Sequence, residues 1–250
     1  MIIPGLVSVS FRQKTPLDIC RLCQQANLAA IEWGGDVHVP PDAGNADEIR
    51  RMTADHGLTV SSYGSYYRVT QPIDKLRACL DTAQALGTDI IRIWCGVKGS
   101  KDAETERPMI VDSLLACAEE ARTRGLTLAL EYHGNTLTDD RTSVQRLLKE
   151  TSSVSDCLKF YWQPRFDWSM DECLASLDDV RPRLSHLHVF TWQYEGRKAV
   201  RLPLADGERL WTQTLSSLPE GHYALMEFVQ DDSAEALLRD AATLSRWIHR

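Results

Sequence analysis

The amino-acid sequence predicts an α/β protein, a (β/α)₈ TIM barrel that forms a single domain over residues 1–250. Its 250 residues, of which 43% are hydrophobic, can bury one large core. Eight short β-rich segments alternate with segments of helical spacing, an order that requires right-handed crossovers and a parallel sheet. Eight such units in about 250 residues is the size at which the sheet closes into a barrel.

An open doubly wound sheet is the alternative arrangement of the same elements. No predicted strand is followed by G-x-G-x-x-G or by a phosphate-binding lysine motif, the patterns typical of nucleotide-binding sheets. No linker, low-complexity tract or charge block divides the chain. A single closed barrel is therefore the simplest interpretation.

Each predicted strand is a short apolar run that ends in polar, aromatic or glycine residues. In chain order the strands are predicted at residues 5–10, 27–33, 57–63, 87–94, 125–132, 158–163, 184–190 and 223–229. Between them, apolar residues recur at helical spacing, as in Leu76, Leu80 and Ala83. Ser169 and Ser233 precede two of these helices, and serine favours the capping position.

Charge, hydropathy and cysteine content argue against nucleic-acid-binding, membrane-spanning and disulfide-rich proteins. The net charge of −7 repels polyanions, so no nucleic-acid partner is expected. No apolar run approaches the ~20 residues that span a bilayer, and the first residues do not resemble a signal peptide. We therefore expect a cytoplasmic protein with no membrane partner. Seven cysteines, an odd number, are typical of scattered buried thiols rather than of a disulfide framework.

Strand alternation selects a small group of polar residues for the mouth of the barrel. Glu131 and His133 share the inward face of one strand, His186 and His188 share that of another, and Glu227 points inward from the last. A carboxylate in an apolar strand is costly to bury unless it is paired or binds a metal. Two carboxylates and an imidazole suit a divalent ion, with Mn²⁺ or Mg²⁺ favoured and Zn²⁺ or Co²⁺ as alternatives.

The chain resembles the sugar phosphate isomerase/epimerase superfamily, the xylose-isomerase-like TIM barrels, over nearly its whole length. The resemblance is carried by residues 31–35 (IEWGG), 130–133 (LEYH), 186–188 (HLH), 201–208 (RLPLADGE) and 225–228 (LMEF). It implies a metal held by Glu131, Gln163, His188 and Glu227, with Glu131 and Glu227 also serving as catalytic acid and base. It further implies an isomerase or epimerase that acts on a small ketose or polyol-derived ketone.

Two positions depart from the family pattern. Gln163 stands where the family has an aspartate, and an amide oxygen can bind a metal but brings no charge, so a weakly bound or absent metal is one expectation. Phe166 stands where the family has a histidine. These departures support an alternative function, a non-catalytic or metal-free sugar-binding barrel.

A third hypothesis is a hydrolase like the abasic-site endonucleases that share the barrel. It requires more histidine and aspartate ligands and a basic groove, which the sequence does not offer.

Residues around the metal ligands are candidates for binding a small, sugar-like substrate. They are His133, His186, Arg201, Glu32, Trp33, His38, Tyr63, Arg92, Trp94 and Trp162. Arg92 lies in an apolar strand and needs a buried partner, for which Glu32 and Glu131 are the candidates. Arg201 offers a guanidinium to substrate oxygens, or else pairs with Asp206 or Glu208 on the surface. The sequence also allows a homodimer.

Overall fold

The computed structural model describes residues 1–165, 167–196 and 198–249. Eight parallel strands among these residues form a closed barrel: β1 (Ile3–Val7), β2 (Ala30–Gly34), β3 (Thr59–Arg68), β4 (Ile90–Trp94), β5 (Thr127–Glu131), β6 (Leu158–Trp162), β7 (Leu184–Val189) and β10 (Tyr223–Met226). β10 pairs with both β7 and β1, which closes the sheet. The predicted (β/α)₈ barrel is confirmed, and the open doubly wound sheet is excluded.

Eight α-helices in the described part of the chain surround the barrel. They are α1 (Pro16–Gln25), α2 (Ala46–Asp55), α3 (Ile73–Leu86), α4 (Arg107–Arg122), α5 (Arg141–Glu150), α6 (Met170–Val180), α7 (Glu208–Ser216) and α8 (Ala234–Ile248). The two predicted serine caps are confirmed: Ser169 accepts a hydrogen bond from the Glu172 backbone, and Ser233 accepts one from the Ala236 backbone. These bonds satisfy amide groups that the first helical turn leaves without a partner.

One element was not predicted from the sequence. Residues after β7 form an antiparallel hairpin of β8 (Thr191–Glu195) and β9 (Lys198–Leu202), in which Trp192 pairs with Arg201. Much of this hairpin is exposed and polar, so it lacks the apolar run by which a buried strand is recognised. Arg201 therefore lies in a strand at the mouth of the barrel.

Two layers of apolar side chains stabilise the fold. A small cluster fills the barrel interior and contains Val7, Ala129, Tyr161 and Leu225. A much larger cluster lies between the outer face of the barrel and the helices. Because successive strand residues point to opposite faces, each strand contributes alternate side chains to the two layers.

All seven cysteines are buried free thiols, as the odd number suggested. Cys20 and Cys23 lie on the buried face of α1. None of the helices in the described part of the chain combines the length and apolar character needed to cross a membrane.

Candidate active site

A cavity of about 450 Å³ opens at the carboxyl ends of the barrel strands. Barrel enzymes place their chemistry at this end, and the volume accommodates a small-molecule substrate. Seven of the predicted site residues line it: Arg92, Trp94, Glu131, His133, Gln163, Arg201 and Glu227.

Glu131 and Glu227 line the floor of this cavity, and His188 lies against both carboxylates just beneath it. Each offers one ligand atom, and these three atoms lie within 4.8 Å of one another. The Nδ1 atom of His188 is 3.2 Å from a carboxylate oxygen of Glu227 and 3.6 Å from one of Glu131. All three side chains are buried. Glu131 ends β5, His188 lies near the end of β7 and Glu227 follows β10, so barrel closure brings them together.

Gln163 completes this group, which we call the carboxylate–imidazole cluster (Glu131, Gln163, His188 and Glu227). Its amide nitrogen donates to the carbonyl oxygen of Tyr132 at 2.6 Å, and its amide oxygen is 3.2 Å from His188 Nδ1. The bond to Tyr132 requires the nitrogen on that side. The oxygen, which is the atom that can bind a metal, therefore faces the cluster.

Arg92, which lines the cavity, joins the carboxylates of Glu131 and Glu32. Its Nε atom donates to Glu32 at 2.9 Å, and its Nη1 atom donates to Glu131. The guanidinium is 2% exposed and the Glu32 carboxylate is fully buried. Arg92 therefore pairs with both of the partners that were predicted from the sequence, Glu32 and Glu131. The physical reason is that a buried charge is stable only when it is paired.

The charges in this region shift the ionisation of each group. Burial acts to raise the pKa of Glu32 and of Glu131, but Arg92 and then His188 hold both well below the ordinary value of a glutamic acid. Burial acts to lower the pKa of His188, but Glu227, Glu131 and Glu32 hold it well above its ordinary value. Both glutamates are therefore carboxylates at neutral pH.

This donor set fits a divalent metal ion. Glu32, Glu131 and Glu227 carry three negative charges against the one positive charge of Arg92, which leaves two when His188 is neutral. The Oε2 atom of Glu227, on the cluster side, is buried and, among the described residues, has only His188 Nδ1, at 3.2 Å, beside it. Three oxygen ligands and one imidazole suit Mn²⁺ or Mg²⁺, and the ion would neutralise the remaining charge.

Gly64 allows the Glu32–Arg92 pair to form. A Cβ atom on this residue of β3 would lie 2.6 Å from a Glu32 oxygen and 2.9 Å from Arg92 Nη2. We expect Gly64→Ala to lower the free energy of unfolding by about 1–3 kcal/mol because it overpacks a buried ion pair. Denaturant unfolding measures this, with Gly134→Ala as the control, since a Cβ there meets nothing within 4 Å. Equal losses in both variants would contradict the prediction.

Trp94 connects Glu131 to the cavity wall. Its indole N–H donates to Glu131, and its ring lies 4.8 Å from the ring of His133 and 5.2 Å from that of Tyr66. The Nδ1 atom of His133 is 2.6 Å from the carbonyl oxygen of Gly134, which requires the ring proton on Nδ1 when the imidazole is neutral. Nε2 of His133 is then free to accept a hydrogen bond from a substrate hydroxyl.

Arginines at the rim of the cavity are paired with acidic side chains. The pairs are Arg12 with Asp36, Arg165 with Asp167, and Arg201 with Asp232. The surface partners predicted for Arg201, Asp206 and Glu208, are therefore wrong. Arg201 also donates to the carbonyl oxygen of Val229 at 3.0 Å, which ties the hairpin to the segment after β10.

Three aromatic residues predicted to contact substrate lie outside the cavity. Trp33 donates to Thr53 on α2, Tyr63 donates to the Val39 carbonyl oxygen, and the Trp162 ring packs against Trp211. Alternation explains this correction, because Glu32, Gly64 and Gln163 are the inward neighbours of these residues. Their role is to pack the barrel against its helices.

Three polar residues are also removed from the predicted substrate-binding set, because none lines the cavity. Glu32 lies beneath it, paired with Arg92. His38 is buried against Ser8, 2.9 Å from its hydroxyl. His186 stacks between Tyr161 and Tyr223 deeper in the barrel, where burial lowers its pKa to about 4, so it is a neutral packing residue.

Several cavity residues were not predicted from the sequence. They are Arg12, Arg165, Trp192, Tyr194, Phe228 and Asp232. Trp192 and Tyr194 alternate along β8, a weak signal that the short length of the hairpin obscured. Phe166, which the resemblance aligns with a family histidine, lies outside the described residues.

Comparison with known proteins identifies relatives of similar length. The chain is 23% identical over an alignment of 270 residues to 3-dehydroshikimate dehydratase from Bacillus anthracis, and the alignment covers 96% of each protein. The crystal structure of the probable 3-DHS dehydratase involved in petrobactin synthesis from Bacillus anthracis superposes with a TM-score of 0.80 at 20% identity, covering 98% of this chain and 99% of that one.

Two further structures share the fold at lower similarity. D-psicose 3-epimerase with D-tagatose from Clostridium cellulolyticum H10 has a TM-score of 0.70 at 14% identity, covering 99% of this chain and 98% of that one. A xylose isomerase-like TIM barrel protein from Mycobacterium smegmatis in complex with magnesium has a TM-score of 0.69 at 14% identity, with coverages of 99% and 96%. At these identities the likeness establishes the fold.

The family model described as xylose isomerase-like TIM barrel matches residues 20–245. This match includes seven of the eight barrel strands and the whole carboxylate–imidazole cluster. The chain therefore belongs to the xylose isomerase-like TIM barrel family.

Proposed function

We propose that this protein is a metal-dependent enzyme that removes a proton beside the carbonyl group of a small polyhydroxylated ketone. The observation that carries the proposal is the convergence of Glu131, Gln163, His188 and Glu227 at the floor of a substrate-sized cavity. Glu131, Gln163, His188 and Glu227 would hold the ion. When bound, a divalent ion supplies a Lewis acid that polarises the substrate carbonyl.

The two glutamates have unequal surroundings. One oxygen of Glu131 accepts hydrogen bonds from Arg92 and Trp94. Burial acts to raise the pKa of Glu131, but the charge of Arg92 holds it low, so this carboxylate is ionised. Glu227 has no arginine or lysine within ion-pair distance among the described residues, and its Oε2 atom lies 3.2 Å from His188 Nδ1. Because the pKa of Glu131 is held low, Glu131 serves mainly as a fixed negative ligand, and we assign the role of proton acceptor to Glu227.

A single mobile base favours dehydration as the overall reaction. Glu227 takes the proton from the carbon beside the carbonyl and returns it to the hydroxyl group on the next carbon. The C–O bond then breaks, the electron pair of the C–H bond forms the new double bond, and water leaves. The likeness to a 3-dehydroshikimate dehydratase supports this assignment over the isomerase activity that the sequence first suggested.

Epimerisation or isomerisation is the second candidate. Carboxylate oxygens of Glu131 and Glu227 both approach His188 Nδ1, at 3.6 and 3.2 Å, so two acid–base groups flank one point as a two-base reaction requires. The shared fold with a D-psicose 3-epimerase is consistent with this alternative.

Substrate trials with metal-depleted and metal-restored protein test the proposal. With 3-dehydroshikimate and Mn²⁺ we expect loss of one water, detected by mass spectrometry. Removal of the ion with a chelator should lower the rate by at least about 100-fold, because a Lewis acid supplies several kcal/mol of transition-state stabilisation. Re-added Mn²⁺ should restore the rate.

Other outcomes of the same trials decide between the alternatives. Conversion of D-psicose into its C3 epimer without loss of water would establish the epimerase and exclude the dehydratase. Sugar binding that persists after metal depletion, with no turnover of either substrate, would overturn the enzyme proposal and identify a binding protein.

A further inference from the structure

Glu32 lies beneath the carboxylate–imidazole cluster and does not reach the cavity. Its side chain is fully buried, and both of its oxygens have defined neighbours. Oε1 accepts from Arg92 Nε at 2.9 Å. Oε2 accepts from the Ser62 hydroxyl at 3.0 Å and is 3.6 Å from His188 Nε2. Burying an isolated carboxylate is costly, so these contacts require an explanation beyond packing.

Two chains of contacts start at Glu32 and end at different members of the cluster. One runs through Arg92, whose Nη1 atom donates to Glu131. The other reaches Nε2 of His188 directly, across the barrel interior. Glu131 Oε1 and His188 Nδ1 then face each other at 3.6 Å on the cluster side. Glu32, Arg92, Glu131 and His188 thus form a closed buried ring.

We propose that Glu32 is a positioning residue that orients His188 and, through Arg92, Glu131 for metal binding. The Glu32 carboxylate favours the proton of a neutral His188 on Nε2, which leaves the Nδ1 lone pair available to an ion held between Nδ1 and the oxygens of Glu131 and Glu227. The Arg92 guanidinium engages Oε2 of Glu131, which leaves Oε1 directed at the same point. This inference rests on the metal centre of the proposed function.

The alternative role for Glu32 is structural only, as the counter-charge of Arg92. A structural role predicts that a Glu32 variant loses stability without a specific loss of metal affinity. The positioning role predicts the specific loss, because an amide nitrogen beside Nε2 favours the opposite tautomer and places a proton on Nδ1. Metal affinity of the folded protein therefore separates the two roles.

The experiment is calorimetric titration of Mn²⁺ into metal-depleted wild-type protein and into the Glu32→Gln variant. We expect the variant to bind Mn²⁺ about 10–100-fold more weakly, the usual effect of losing a residue that orients a metal ligand. Asp240→Asn is the matched control, since it also neutralises a buried carboxylate, on α8 and outside the cluster. The affinity of the Asp240→Asn variant for Mn²⁺ should equal that of the wild type.

Two outcomes of the titration would overturn the positioning role. Wild-type protein that binds no Mn²⁺ would overturn both the metal-dependent function and this inference. Tight binding by the wild type together with equal binding by Glu32→Gln would overturn the positioning role alone.

A second measurement does not depend on the folding of the variant. Nitrogen NMR of the wild-type protein loaded with Mg²⁺ reports which ring nitrogen of His188 carries the proton. We expect it on Nε2, and a proton on Nδ1 would overturn the inference.

Discussion

Replacement of Glu227 by glutamine is expected to lower kcat by about 10²–10⁴-fold, the contribution of a positioned general base. The amide keeps the shape of the side chain but cannot accept the substrate proton. Steady-state and single-turnover rates with Mn²⁺ present at saturation measure the loss. Saturation is needed because Glu227 also belongs to the metal-binding cluster.

Glu131→Gln and Glu150→Gln complete this comparison. Glu131→Gln should act chiefly on Mn²⁺ affinity, because Glu131 is tied to Arg92 and Trp94 and is the poorer base. Glu150→Gln neutralises a partly buried glutamate that pairs with Arg107 outside the barrel, and its kcat should equal that of the wild type. Full activity of Glu227→Gln on a confirmed substrate would contradict the assignment of Glu227 as the base.

Replacement of Arg92 by methionine is expected to lower the free energy of unfolding by about 3–5 kcal/mol, the usual cost of removing one partner from a buried ion pair. The variant leaves Glu32 and Glu131 buried without their shared counter-charge. Denaturant unfolding monitored by circular dichroism measures the loss. Mn²⁺ is omitted, because a cation that binds the folded state would offset part of it.

Two further variants test the mechanism behind this loss. Arg50→Met removes an exposed arginine paired with Asp47 and should change stability by less than about 0.5 kcal/mol. The double variant Glu32→Gln/Arg92→Met should lose less stability than the sum of the two single variants, because each removes the charge that the other compensates. Additive losses would show that the two residues do not interact.

The inward-facing residues of the site could be predicted from the sequence. Glu131 and Glu227 stand at positions where a period of two places the side chain in the barrel, and Arg92 is a charge that an apolar strand cannot hold without a partner. The same period explains why Trp33 and Trp162, which were predicted to contact substrate, lie outside the cavity. Each of these residues follows or precedes an inward-facing neighbour, so it had to face the helices.

The rim of the cavity could not be predicted in the same way. The hairpin β8–β9 has an exposed, largely polar sequence, so its pairing depends on the surface it lies against rather than on its own pattern. Arg201 pairs with Asp232, 31 residues away along the chain, in preference to the acidic residues that follow it closely. The conformation of the segment after β10 decides this choice.

The sequence by itself determined the eight alternating units, the face on which each strand residue lies, and the presence of two carboxylates and an imidazole at the mouth. These follow from covalent geometry and from the cost of burying charge, which act within a few residues. Only the tertiary structure decided that the Gln163 amide oxygen faces His188 and that Glu32 on β2 lies beside His188 on β7. β1 and β10 separate those two strands in the sheet, so closure of the barrel is what places their side chains together.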